Sequence, residues 1–339
     1  MKQIIELQKT LVPDVVDTMR NRMYIMHLIR AAQPVGRRTL AQMSGLTERV
    51  LRSETDFLKD QGLIHISKIG MSLSQEGSEV LLEMEEVTRE LFGLQELEQA
   101  LETKLGLNRV VVVMGDTDES PWVKADLGRA AADQLRQLVQ QNWVISVAGG
   151  TTVAAVSEAL TSSTVLKSLL FVPARGGLGE EVELQANTIS SKMAKQTDGR
   201  YRLLHVPDEL SVTSYQSLLS DPQIKEVVRL IRSSRMIIHG IGEAKTMAKR
   251  RKSPQEVIDL LTDRHAVAEA FGYYFNAQGD IVHKIRTIGL RLEDVRQADH
   301  ILAVAGGKNK ASAIRAFLKQ GVHDVLVTDE GAAREILKA

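Results

Sequence analysis

The chain has 339 residues, 43% of them hydrophobic and 25% charged, with acidic and basic groups in equal number. That is ordinary for a globular protein of two or three domains and excludes a largely disordered one. The absence of cysteine excludes disulfides, thiolate metal sites and a cysteine nucleophile, and no run of about 18 apolar residues is available to cross a membrane.

The first ten residues, MKQIIELQKT, carry charges among their apolar positions and no small-residue cleavage site, so a cytoplasmic protein without a signal peptide is expected. Residues 20–70 hold nine Lys/Arg against four acids, whereas 71–105 hold nine Glu against Arg89 and Lys104. A basic head concentrates near phosphates, and an acidic neck is repelled from them.

Within the head, residues 37–77 read as a winged helix-turn-helix. A short helix around Leu40 and Ala41 meets a tight turn at Gly45, and Thr47 can cap a second helix. In that helix Val50, Leu51, Phe57 and Leu58 are expected on the core side. Arg49, Arg52, Ser53 and Asp56 share the opposite face, which suits base edges or phosphates in a major groove. The alternation in IHIS, a turn at Lys68–Gly70 and a returning MSLS predict a hairpin wing with a basic tip. The DNA-facing set is therefore Arg37, Arg38, Thr47, Arg49, Arg52, Ser53 and Lys68. The alternative is a small helical domain with solvated arginines.

Through the neck, Val80, Met84, Val87, Leu91, Leu94, Leu101 and Leu105 alternate by fours and threes, with Glu98 the polar interruption. This predicts a heptad seam, either packed on its own domain or pairing with a second copy. Gly93 weakens the case for one continuous helix.

From residue 109 onward, short apolar runs alternate with helical patterns. RVVVVM, WVISVA, SLLFVPA, MIIHG, HILAVAGG and HDVLVT read as buried strands of a parallel sheet. The predicted architecture is α/β: an N-terminal winged helix-turn-helix over 1–88, then a doubly wound, Rossmann-like domain over 89–339 that binds an effector and oligomerises.

Several of these strands end in small-residue turns. Gly149-Gly150-Thr151-Thr152 precedes a helix and reads either as a plain βα connection or as a phosphate cradle formed by free N–H groups and two hydroxyls. It is neither a Walker A loop nor a dinucleotide fingerprint. Arg175 follows the third strand, Lys245, Lys249, Arg250 and Arg251 follow the fourth, and Lys308 and Lys310 follow a second glycine pair. Cations from three loops predict an anionic ligand carrying phosphate. Glu269 reads either as an acceptor for sugar hydroxyls or as a solvated helix acid. The histidines share no short spacing, and neither a metal nor a cofactor is expected.

The GLTERVLRSETDFLKDQGLI string resembles the recognition segment of bacterial winged-helix sugar-operon regulators. VAGGTT, VPARGGLGEEVELQANTI, HGIGEAKTMAKRR, AEAFGYYFNAQGDIVHK and VAGGKNKASAI resemble the sugar-binding domain of SorC-type regulators, related in fold to phosphosugar isomerases. The resemblance covers essentially the whole chain. It implies a repressor of a central glycolytic operon that binds operator DNA as a dimer or tetramer, with fructose 1,6-bisphosphate as inducer and other sugar phosphates as weaker ligands. It places Gly149, Gly150, Thr151 and Thr152 with Lys310 around one phosphate. Arg175 and Arg250, with Gln185, would hold the other phosphate or the hydroxyls, and Glu269 the sugar. Lys308 is not required.

The rival readings are a DNA-binding regulator that responds to a different ligand, such as a pentose or polyol phosphate, and a phosphosugar isomerase. Aldose–ketose isomerisation needs a carboxylate base near the substrate. The loop Ala174–Gly177 offers none, Glu180 and Glu181 come a turn late, and Glu269 is the remaining acid. No catalytic residue is assigned.

Overall fold

The computed structural model describes residues 11–120, 122–177, 181–321 and 324–338; the side chains of 13, 16, 85–88, 90 and 91 are outside that description. The N-terminal decapeptide, Glu180, His323 and the side chains of Val87 and Leu91 therefore lie outside it. The chain divides into two compact units, Met1–Glu96 and Leu97–Ala339.

The first unit begins with α1 (Pro13–Ala32), opened by Pro at its N-terminus. Then come α2 (Arg37–Ser44), α3 (Glu48–Asp60), β1 (Ile64–Ser67), β2 (Gly70–Leu73) and α4 (Gln75–Leu91). Gly45 takes φ +67° and donates its N–H to the Ala41 carbonyl, ending α2 in the left-handed conformation that glycine tolerates. Thr47 caps α3 by accepting from the Val50 N–H. The two strands pair antiparallel, and Val35 exchanges backbone hydrogen bonds with Met71, a short third rung that no sequence pattern announces. Ile25, Leu28, Ile29, Leu40, Leu51, Leu58 and Met71 form the core.

The face of α3 differs from the expected one. Leu51, Thr55 and Leu58, at spacings of four and three, are its buried stripe. Val50 and Phe57 are exposed, and Arg22 covers the Phe57 ring with its guanidinium carbon 3.6 Å from the centroid. Thr55 can be buried because its hydroxyl bonds back to the Leu51 carbonyl at 2.8 Å.

The expected single seam is broken. Gly93 takes φ +68°, which ends α4, and α5 (Leu94–Leu105) starts anew. The polar interruption at Glu98 has a structural cause. Its carboxylate accepts from the Val112 N–H at 2.7 Å, and Glu102, one turn later, from the Val110 N–H at 2.9 Å. Both N–H groups belong to β3 (Arg109–Val113), an edge strand. Two carboxylates thus satisfy edge donors that no neighbouring strand pairs.

In the second unit, β3 is joined by β4 (Val144–Val147), β5 (Leu170–Pro173), β6 (Arg200–Tyr201), β7 (Met236–His239), β12 (His300–Val304) and β13 (Val325–Asp329). The sheet is parallel throughout, in the order β3-β13-β12-β7-β4-β5-β6. Both faces need cover, which is why the strands are continuous apolar runs. The helices α6 (Val123–Leu138), α7 (Thr151–Ala159) and α8 (Ala186–Thr197) bring Leu127, Leu135, Val153, Val156, Ile189 and Met193 onto Ile145, Phe171 and Ile238. From β4 the chain builds outward through β5 and β6, then returns to place β7 on the opposite side of β4. The order reverses there, opening a crevice at the carboxyl ends of β4 and β7.

Between β7 and β12 lies a smaller antiparallel sheet, β8 (Gly242–Glu243), β9 (Ala266–Ala270), β10 (Tyr273–Asn276) and β11 (Ile281–Lys284), in the order β11-β10-β9-β8. It is backed by α11 (Ala244–Arg250) and α12 (Gln255–Asp263) around Tyr274, Ala244 and Leu261. The two short helices before β7 are α9 (Val212–Ser220) and α10 (Pro222–Arg232); α13 (Leu292–Val295), α14 (Ala311–Leu318) and α15 (Glu330–Lys338) complete the chain.

Candidate functional site: a pocket at the sheet reversal

A pocket open to solvent occupies the crevice beyond β4 and β7. All nine expected effector-binding residues line it: Gly149, Gly150, Thr151 and Thr152 after β4, Arg175 after β5, Gln185 before α8, Arg250 on α11, Glu269 on β9 and Lys310 after β12. Lys308 does not.

The β4 turn leads into a helix start that no side chain caps. Gly150 caps α7 at φ +128° and ψ 161°, a conformation for glycine alone. The first-turn N–H groups of α7 face outward with the helix dipole behind them, as an anion requires. Gly149 must lack a side chain for another reason: a Cβ there would stand 2.7 Å from the Leu184 carbonyl oxygen. That closeness lets the segment carrying Gln185 close one wall, tied by Gly150 N–H to Leu184 C=O at 2.9 Å.

The second glycine turn is already occupied. Gly307 N–H donates to Asp329 Oδ2 at 2.7 Å, Asn309 N–H to Asp118 Oδ2 at 2.8 Å, and Lys308 N–H to Asp116 Oδ1 at 3.3 Å. The protein's own carboxylates take the donors that the sequence pattern offered to a ligand. Only the Lys310 side chain carries this loop's charge into the pocket, and burial, with Lys124 nearby, pulls its pKa below the usual lysine value.

Glu269 is a strand residue, not a helix acid, and is 4% exposed. Its Oε1 accepts from Arg175 Nη1 at 3.1 Å, Arg251 Nη2 at 2.8 Å and the Gly272 N–H at 2.8 Å. Burial raises its pKa, but the two guanidiniums and the Gly272 N–H outweigh it and hold the carboxyl below its ordinary range. Arg251 also donates to Asp208 Oδ2 at 3.1 Å and to the Tyr274 hydroxyl at 3.0 Å. Burial disfavours its charge, and Glu269, Tyr274 and Asp208 more than restore it, so its pKa is raised. Asp208 completes the network by binding Arg175 through Nε and Nη2. The pairing of Arg251 and Asp208 gives no local spacing signal, because their partners lie 18 to 43 residues away. Arg250, by contrast, pairs with the exposed Glu181 at 2.5 Å.

His239 ends β7 at the pocket wall, between Phe271 and Phe317. Burial lowers its pKa to about 4 despite its contact with the Gly240 carbonyl and the charge of Glu269, so it is neutral near pH 7. Among the described residues, no cluster of three or more acids and histidines is arranged to hold a metal.

In the first unit, Arg38, Arg49, Arg52, Ser53 and Lys68 are exposed, as a binding face requires. Arg37 is partly committed to Asp56, 3.5 Å away, and the Thr47 hydroxyl to its cap.

Family models match both parts of the chain: the "CggR N-terminal DNA binding domain" over 18–88 and the "Putative sugar-binding domain" over 89–338. The chain is 50% identical over 339 residues to the central glycolytic genes regulator of Priestia megaterium, covering 100% of this chain and 99% of that one. It is 48% identical to the regulator of the same name from Bacillus subtilis, with 100% and 99% covered. A solved SorC family transcriptional regulator from Enterococcus faecalis, 44% identical, covers 71% of this chain and 99% of its own with a TM-score of 0.68. The full-length sorbitol operon regulator SorC from Klebsiella pneumoniae shares the fold, with a TM-score of 0.66 at 20% identity over 95% of this chain and 99% of that one. The chain belongs to the SorC family of sugar-binding transcriptional regulators, on the branch of the central glycolytic genes regulators.

Proposed function

We propose that the protein is a repressor of a central glycolytic operon, bound to operator DNA through a winged helix-turn-helix and released by fructose 1,6-bisphosphate. The observation that carries the ligand reading is the pocket itself: an uncapped helix N-terminus faces Arg175, Arg250 and Lys310 across one cavity at the sheet reversal. The names of the full-length relatives support the operon. Exposed Arg49, Arg52 and Ser53 on α3, with Lys68 between β1 and β2, support the DNA face.

In this reading the phosphate at one end of the sugar sits on the α7 N-terminus with Thr151, Thr152 and Lys310. Glu269 Oε2, which accepts no hydrogen bond from the described residues, takes a sugar hydroxyl. Arg175, Gln185 and Arg250 face the other end. Several heads of a dimer or tetramer grip a repeated operator, and the ligand favours a state in which they no longer bind together. A modest change per subunit then has a large effect.

Glu269 also bears on the isomerase alternative. A carboxylate held by two guanidiniums and a backbone N–H is a weak proton acceptor, which favours a sensor over an enzyme.

Calorimetric titration of the full chain with fructose 1,6-bisphosphate tests the pocket. Saturable binding is expected, lost in both Thr152→Ala and Arg175→Ala and without turnover of the sugar. A wild type that binds no sugar phosphate would remove the ligand reading, and turnover would restore the isomerase.

A further inference from the structure

Asp208 is 5% exposed and does not line the pocket, yet it binds the guanidinium that does. Its position is fixed by backbone: Asp208 N–H donates to Gly177 C=O at 2.8 Å, and Gly177 N–H to Val206 C=O at 2.9 Å, so the loop after β5 and the segment 206–208 are laced together. From behind the pocket wall its carboxylate reaches Arg175 on one oxygen and Arg251 on the other. With Glu269 bridging the same two guanidiniums, the pocket floor holds two cationic and two anionic groups.

The two ends of the cavity therefore differ. At the α7 N-terminus the donors face outward with no side-chain cap to displace. At Arg175 an incoming phosphate finds the charge already balanced and must compete with a carboxylate for it.

We propose that Asp208 is a specificity-determining residue: by competing for Arg175, it sets how much a second phosphate adds to binding and so tunes the preference for bisphosphorylated over monophosphorylated sugars. This rests on the sugar-phosphate reading of the pocket. Asp208 acts through Arg175 and Arg251 without touching the ligand. Arg251 is its counterweight, since it divides the attention of both carboxylates and leaves Arg175 partly available.

The test is the ratio of affinities for fructose 1,6-bisphosphate and fructose 6-phosphate, measured by calorimetry on the full chain. Asp208→Asn keeps the shape and removes the competing charge. Its ratio is expected to widen in favour of the bisphosphate, on the order of tenfold. A loosened pocket would weaken both ligands together and leave the ratio unchanged, and a role limited to aiming Arg175 would narrow it; either result overturns the proposal. Arg251→Gln is the converse variant and serves alone if Asp208→Asn does not fold. It leaves excess negative charge at the floor, so its ratio is expected to narrow, and an unchanged or wider ratio overturns the proposal. If the wild type binds neither sugar, the sugar-phosphate reading itself fails, an outcome distinct from both.

Discussion

At the scale of single residues, groups that line the pocket differ in how far the protein already engages them. Thr152 stands in the first turn of α7, which no side chain caps, whereas the Arg251 side chain is 3% exposed inside a cage of Asp208, Glu269 and Tyr274. His239 yields a pH prediction. Its pKa is about 4 when folded, against 6.5 as the ordinary value, so between these pH values the unfolded chain binds the extra proton. Its neutral burial is thus fully compatible with the fold above about pH 6.5 and increasingly unfavourable as pH falls towards 4, by on the order of 3 kcal/mol at the limit. Stability of His239→Gln, measured by urea unfolding, is expected to fall less steeply than wild type across that window; an equal slope would contradict the assignment. Much of the site was legible at this scale, because glycine turns and cations at strand ends are local patterns. Glu269 was harder to place, since AVAEA suits a helix as well as a strand and only pairing with β8 and β10 decides it. Asp208 left no pattern, and Arg251 was legible only as one of the cations after the fourth strand, because both act through long-range pairs.

At the scale of elements, α5 gains a role that periodicity could not supply. Glu98 interrupts an apolar seam because it and Glu102 occupy alternate donors of an edge strand. Glu98→Leu is expected to improve the seam pattern yet destabilise the second unit by about 1–3 kcal/mol, as a buried N–H loses its acceptor; thermal unfolding at or above the wild-type temperature would contradict this. On α3, the stripe Leu51, Thr55 and Leu58 turns Arg49, Arg52 and Ser53 outward. Arg52→Ala is expected to weaken DNA binding and, if the guanidinium holds a phosphate, to reduce the salt dependence of log affinity by about one unit. An unchanged affinity would leave Arg52 a solvated surface arginine. The large parallel sheet was readable from its apolar runs. The small antiparallel sheet was not, because its strands are short and Gly272 and Gly279 turn the chain between them at positive φ.

At the scale of the whole molecule, the sequence already separated a basic head, an acidic neck and an α/β body, because charge segregation and strand–helix alternation extend over many residues. A ligand changes DNA binding only by as much as it prefers one state of the protein over another. If the protein works as proposed, a sugar phosphate in the pocket must also change the grip of the heads. The direct measurement is fluorescence anisotropy of the full chain on a labelled fragment from upstream of a central glycolytic operon, titrated with fructose 1,6-bisphosphate at fixed salt. Release of DNA by the sugar from wild type, with Thr152→Ala binding the DNA equally well but no longer responding, is the predicted result. Equal DNA affinity with and without saturating sugar phosphate in the wild type would contradict the account.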